Sequence, residues 1–220
     1  MDKYFEEFLV AEGFGPIITS SPLNDEVGGY FRGKLPNKLL GYWSEYGFAG
    51  FAQGLFWTVN PQDYQELLDK WLSQTTLFGR ENFYVIARSA FGELYIRGDE
   101  SLSTTIIDPH LNTILPGDFE NPPPSKERQE RGIGIFFEIK NKEYVDYDDK
   151  NNKGLFQRCL KKYGMLSDDE MYTFSTPLAL GGSADINNIE KVKILEQLSI
   201  LCDIDMPVTL SSTDELFGGI

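Results

Sequence analysis

Two acidic groupings and two glycine-rich stretches are the places where residue types and spacing admit chemistry. Asp146, Asp148 and Asp149 crowd one polar stretch, and from Asp149 the chain reads Asp-Lys-Asn-Asn-Lys-Gly to Gly154. A calcium loop bends at such a glycine. Its fifth position needs an oxygen ligand and its twelfth a bidentate glutamate, and here they are Lys153 and Leu160. The reading is therefore a solvated acidic loop, free to meet a basic partner. Asp168, Asp169 and Glu170 are spaced for paired acid–base work. A structural role accounts for all of them and is the preferred reading: Ser167 and Glu170 have capping-box spacing, and Asp168 and Asp169 suit the positive end of a helix dipole.

Gly181-Gly182-Ser183 before an expected helix has the makings of a phosphate cradle, but it lacks the Walker lysine and the dinucleotide glycine spacing, and a turn is the better reading. Arg131-Gly132-Ile133-Gly134 lacks the third glycine of a dinucleotide fingerprint. The chain has one histidine, His110, and two cysteines, Cys159 and Cys202, each on an apolar helical stripe. A single histidine cannot complete a multi-histidine metal site and leaves a serine or cysteine triad without support. The thiols read as buried residues in a reducing compartment. No catalytic, cofactor or metal set is expected.

The elements that would carry these residues follow from period and punctuation. Tyr4, Phe5, Phe8 and Leu9 make a short helix stopped at Gly13, followed by a loop through Gly28 and Gly29. Leu39, Leu40, Trp43 and Tyr46 share a helix face that opens at Pro36 and closes at Gly47. Asn60 caps a helix striped by Tyr64, Leu67, Leu68, Trp71 and Leu72. Strands are expected at 53–59, 83–90, 93–97, 104–108 and 111–115. Ile133 to Lys140 reads as a further strand, Leu155 to Tyr163 as a helix, and Ile189 to Leu201 as a long final helix.

Residues 116–131 combine Pro122-Pro123-Pro124 with a charged run from Lys126 to Arg131, so a boundary is expected there. The fold class is α+β in two lobes. The first has helices packed on an antiparallel meander; the second is mainly helical with a short sheet. The expected divisions are 1–118, a Pro-rich charged linker over 119–131, a second domain over 132–212, and a tail over 213–220.

The 220 residues carry a net charge of −14. That excludes the clustered cations needed to grip nucleic acid or an anionic membrane, and favours a basic partner. The acidic N-terminus lacks the apolar stretch of a secretory signal, and no apolar run reaches the length of a membrane span, so a cytoplasmic protein is expected.

Particular strings say more. Leu35-Pro36-x-x-Leu39-Leu40-x-x-Trp43-x-x-Tyr46-Gly47-Phe48, then Gln53-Gly54-Leu55-Phe56-Trp57-Thr58-Val59-Asn60-Pro61-x-x-Tyr64, and Ala90-Phe91-Gly92-Glu93-Leu94 resemble the GAD-like domain. Leu166-x-x-Asp169-Glu170-Met171-Tyr172-x-Phe174 and Pro177-Leu178-Ala179-Leu180-Gly181-Gly182 resemble the domain that follows it in bacterial immunity proteins. Together they look like the immunity proteins that neutralise type VI secretion DNase toxins. Gln197 departs from that pattern, where a histidine is expected.

The resemblance implies a non-enzymatic antitoxin that binds a cognate basic nuclease toxin in the cytoplasm and blocks its active site, with no cofactor. Asp146, Asp148, Asp149, Asp168 and Asp169 are the expected partner-binding residues. A small-ligand or nucleotide-binding regulatory module is the second reading, and a carboxylate-based hydrolase the third.

Overall fold

The computed structural model describes residues 2–210; the expected tail over 213–220 lies outside them. Helix α1 (Lys3–Glu6) runs on through a π-turn to Ala11. Strand β1 (Thr19–Ser21), helix α2 (Asp25–Phe31), helix α3 (Asn37–Tyr46), strands β2 (Phe48–Phe51) and β3 (Phe56–Thr58) and helix α4 (Gln65–Leu72) come next. Then come β4 (Phe83–Ser89), β5 (Leu94–Gly98), β6 (Thr105–Asp108) and β7 (Thr113–Leu115). The remaining elements are α5 (Lys126–Glu138), α6 (Lys142–Val145), α7 (Phe156–Tyr163), β8 (Glu170–Phe174), β9 (Ile189–Lys193), α8 (Ile194–Cys202) and β10 (Val208–Thr209).

The class is α+β. Strands β1 to β7 pair in chain order as an antiparallel meander, and β10 adds in parallel to β7, extending the sheet from the far end of the chain. Strands β8 and β9 form a separate antiparallel hairpin. It is tied to the main sheet where Tyr172 N–H donates to Ala90 C=O at 2.9 Å.

One apolar cluster draws on both halves of the chain. Phe137 of α5 meets Phe5, Phe8, Tyr42 and Phe56 with ring centroids 5.0–6.3 Å apart. Gly134, one turn earlier, lets α5 approach α1 so closely that a Cβ there would sit 2.6 Å from the Tyr4 ring. Trp43, Trp57 and Trp71 are all buried.

Five expectations are corrected. The loop through Gly28 and Gly29 contains α2, because Asn24 accepts from Val27 N–H at 2.8 Å and caps it. The linker over 119–131 ends at Ser125, which caps α5, and the strand expected from Ile133 is the apolar end of that same helix. The charges of 126–131 mark its solvated first turns, and Glu130 has a task there: its two carboxylate oxygens accept from Asn37 and Lys38 N–H at 2.7 Å, capping α3 where Pro36 cannot. Ser167 opens no helix. It closes a turn, with Glu170 accepting from Ser167 N–H, and the chain then enters β8 because Met171 to Phe174 are buried. The final helix begins only at Ile194; Ile189–Lys193 is strand, paired residue for residue with β8.

The acidic loop is also less solvated than expected. Asp146 accepts from Tyr147 N–H and from Phe156 N–H at the start of α7, both at 2.8 Å. Burial pushes its carboxyl up to about 6. Asp149 is buried, accepting from Asn151 and Lys153 N–H and pairing with Arg158 at 2.6 Å. Only Asp148 is exposed. The loop must fold back to give α7 its cap, and two of its three carboxylates are consumed in doing so.

The shared core and the buried carboxyl each lead to a measurement. Phe137→Ala should cost about 3–5 kcal/mol. Tryptophan fluorescence, which reports the first half, and far-ultraviolet circular dichroism, which reports the whole chain, should give one coincident urea transition before and after the change. Two separated transitions would refute the shared core. Asp146, a carboxyl raised by burial, favours the folded state while protonated. Its contribution is complete below the unfolded value of about 4 and lost as pH rises through about 6. The loss is on the order of 2 kcal/mol. Asp146→Asn keeps an acceptor for Phe156 and should flatten urea stability against pH between those values; an unchanged slope would place the titration elsewhere.

Candidate functional site

Strand β3 faces two ways. Phe56 points to α1 and α5; Trp57 points to the opposite face, directly across from Arg88 of β4. Against that second face lies a cleft of about 440 Å³ between the sheet and the segment formed by β8, β9 and α8. Its apolar lining is Phe48, Trp57, Val59, Ile194 and Leu195.

Its polar lining is lopsided. Asp63, Asp168, Asp169 and Glu196 face a single cation, Lys193, which is already paired with Asp169 at 2.5 Å. Asp63 sits in a 3-10 turn capped by Asn60, whose side-chain amide donates to it at 3.1 Å. Partial desolvation holds the Asp63 carboxyl above its usual range. Lys193 and Ser167 hold Asp169 below its usual range. At neutral pH the cleft therefore gathers negative charge over an apolar floor.

Arg88 fixes this arrangement from beneath. It is fully buried, with its guanidinium 4.8 Å from the Trp57 ring. It donates to Ser89 C=O at 3.2 Å and to Asp168 C=O at 2.8 Å. The second bond joins the sheet to the turn that carries Asp168 and Asp169. Ile194 N–H donates to Asp169 C=O at 2.9 Å and closes the turn from the other side. Both side chains are exposed on a backbone that cannot wander.

Of the five sequence-predicted partner residues, the cleft brings together Asp168 and Asp169. Asp146, Asp148 and Asp149 stay in the α6–α7 loop and do not line it. Sequence reasoning missed Asp63 and Glu196 because each has an ordinary place near a helix start. Arg88 carried a stronger signal: a lone cation inside the apolar run from Phe83 to Ala90.

The histidine and the buried cysteine are placed for packing. His110 is wholly buried, its ring edge-on to Phe174 at 4.9 Å, and burial pulls it down to about 4. Cys159 is buried and its thiol is pushed up to about 12. Among the described residues, no group of three or more His, Cys, Asp or Glu side chains is placed to hold a metal ion, and no helix is long and apolar enough to cross a membrane.

Residues 3–110 match the GAD-like domain, and residues 130–205 match the C-terminal domain of the T6SS immunity protein Tdi1. No curated protein matches the chain. Among solved structures it is similar to the crystal structure of Atu4351 from Agrobacterium tumefaciens, with a TM-score of 0.80 at 22% identity over 94% of this chain and 93% of that one. That likeness concerns the fold. With one match in each half, the chain belongs to the GAD-like type VI secretion immunity proteins.

Proposed function

We propose that this immunity protein neutralises a basic nuclease toxin in the cytoplasm by seating a cationic side chain of the toxin in the acidic cleft, and so covers the toxin's active site without itself catalysing a reaction. The observation that carries this reading is the cleft's composition: four carboxylates against one already paired lysine, above an apolar floor. A lysine or arginine has the matching form, an apolar stem with a charged head. An arginine there can bond a carboxylate through two parallel N–H groups while its stem lies on Trp57 and Phe48.

The charge of −14 supports the same partner class. A nuclease needs a positive groove to hold phosphates, and opposite charge raises the rate at which two proteins meet. Asp168 and Asp169 keep the contact role proposed for them, with Asp63 and Glu196 beside them. Asp148 offers an exposed charge outside the cleft. Asp146 and Asp149 support the loop that presents it.

The test uses the protein's cognate toxin. The purified protein should abolish that toxin's DNA cleavage. Changing Asp63, Asp168 and Glu196 together to the corresponding amides should slow association by about tenfold or more and flatten its salt dependence, with urea stability nearly unchanged. Association and salt slopes equal to those of the wild type would move the interface off the cleft; uninhibited cleavage by the wild-type pair would end the nuclease reading.

A further inference from the structure

The opposite face of the sheet holds a second cavity of different character. It measures about 350 Å³ and lies between α5 and strands β5 and β6. That is the size of pocket that takes small molecules. Its walls are mostly apolar: Tyr95, Leu102, Ile106, Ile135, Phe136 and Ile139. Ile135 and Ile139 are 40% and 68% exposed, large apolar side chains left uncovered at the mouth.

In this acidic protein the cavity lining carries three cations and one carboxylate, with the buried Glu93 behind Lys140. Arg131 lines it and forms no ion pair among the described residues. Arg128 lines it too but is held by Glu120 at 2.6 Å. Lys140 lies over the Tyr95 and Phe136 rings at 4.0 and 4.2 Å, near Glu93 without an ion pair to it. Asp118 is the one carboxylate of the lining. The Ser103 hydroxyl donates to that carboxylate at 3.2 Å and accepts from Asp118 N–H at 2.6 Å.

Arg97 adds an unpaired charge behind the wall without itself lining the cavity. It lies two positions after Tyr95 on β5 and so points to the same face, toward Gly132 of the cavity wall. A Cβ on Gly132 would lie 3.3 Å from its guanidinium. Arg97 is 0% exposed, yet Nε and both terminal nitrogens have no hydrogen-bond partner. A guanidinium carries five donors and no acceptor, and leaving all of them unmet in a buried site is costly. Glu81, the nearby carboxylate, does not meet them: its oxygens accept from Glu100 N–H, Ser101 N–H and the Ser101 hydroxyl. Burial draws Arg97 down to about 10. The hydroxyl of Thr104, on the wall, is also without a partner.

We propose that this cavity binds a small amphiphilic carboxylate, its anionic head bonded by Arg131 and Lys140, with the buried Arg97 charge behind the Gly132 wall, and its apolar body held by Tyr95, Phe136, Ile135 and Ile139. A straight alkyl chain and a fused aromatic ring share this chemistry. The site lies on the opposite face of the sheet from the acidic cleft and does not depend on the toxin-binding reading.

Calorimetric titration with decanoate, 2-naphthoate and decanol tests it. One or both acids should bind at a single site, at least about tenfold more tightly than decanol, since charge-assisted hydrogen bonds contribute that much. The preferred acid reveals whether the body is alkyl or aryl. Arg131→Met and Ile135→Asp should each weaken it about tenfold or more. Both alter exposed positions, so urea stability without ligand should stay nearly unchanged. Acids that bind no better than decanol, or binding that survives both changes, would overturn the proposal.

Discussion

The structure depends on the insertion of Phe137 among the aromatic rings of α1, α3 and β3. A helix from the second half of the chain thereby becomes a wall of the core built by the first half. Each consequence is local and traceable. With α5 seated, Glu130 reaches the bare N-terminus of α3. The turn before β6 and the exposed face of α5 enclose the second cavity. The chain beyond α5 must then cross to the other face of the sheet, where β8, β9 and α8 close the acidic cleft and β10 reaches the β7 edge.

Charge is sorted by face rather than spread evenly. Two arginines are fully buried in neighbouring strands, and they point in opposite directions. Arg88 is held through both terminal nitrogens by main-chain carbonyls, with only Nε unpaired, and keeps a turn in place. Arg97 has no such partners. The same residue type at the same depth is thus a fastening on one face and an unmet charge on the other. The difference lies in the backbone opposite: the Asp168 carbonyl turns toward Arg88, whereas Arg97 faces the close approach of Gly132.

Much of this was legible in the residues. Glycines with positive φ at 13, 47 and 164 end their helices where the pattern placed them, and the meander from β4 to β7 is written in its alternation and turns. The failures have one physical origin, because local pattern does not tell which partner a segment will meet. Ile133 to Phe137 is apolar enough for a buried strand; it is helical because Ser125 starts the helix earlier and glycines at 132 and 134 let it nestle. Ser167-x-x-Glu170 satisfies half of a capping box, yet pairing with Ile189–Lys193 draws the segment from Glu170 to Phe174 into a strand. Asp168 and Asp169 were visible as exposed acids. Their companions Asp63 and Glu196 are more than a hundred residues apart in sequence, and only the fold brings them to one rim.

The bond from Arg88 to the Asp168 carbonyl has a consequence for how such a protein diversifies. It grips main chain, so it is indifferent to the side chain borne at position 168. The rim can be rewritten while the buried fastening stays as it is. Substitutions at position 168 can thus change the charge of the cleft rim without first crossing a valley of misfolded intermediates.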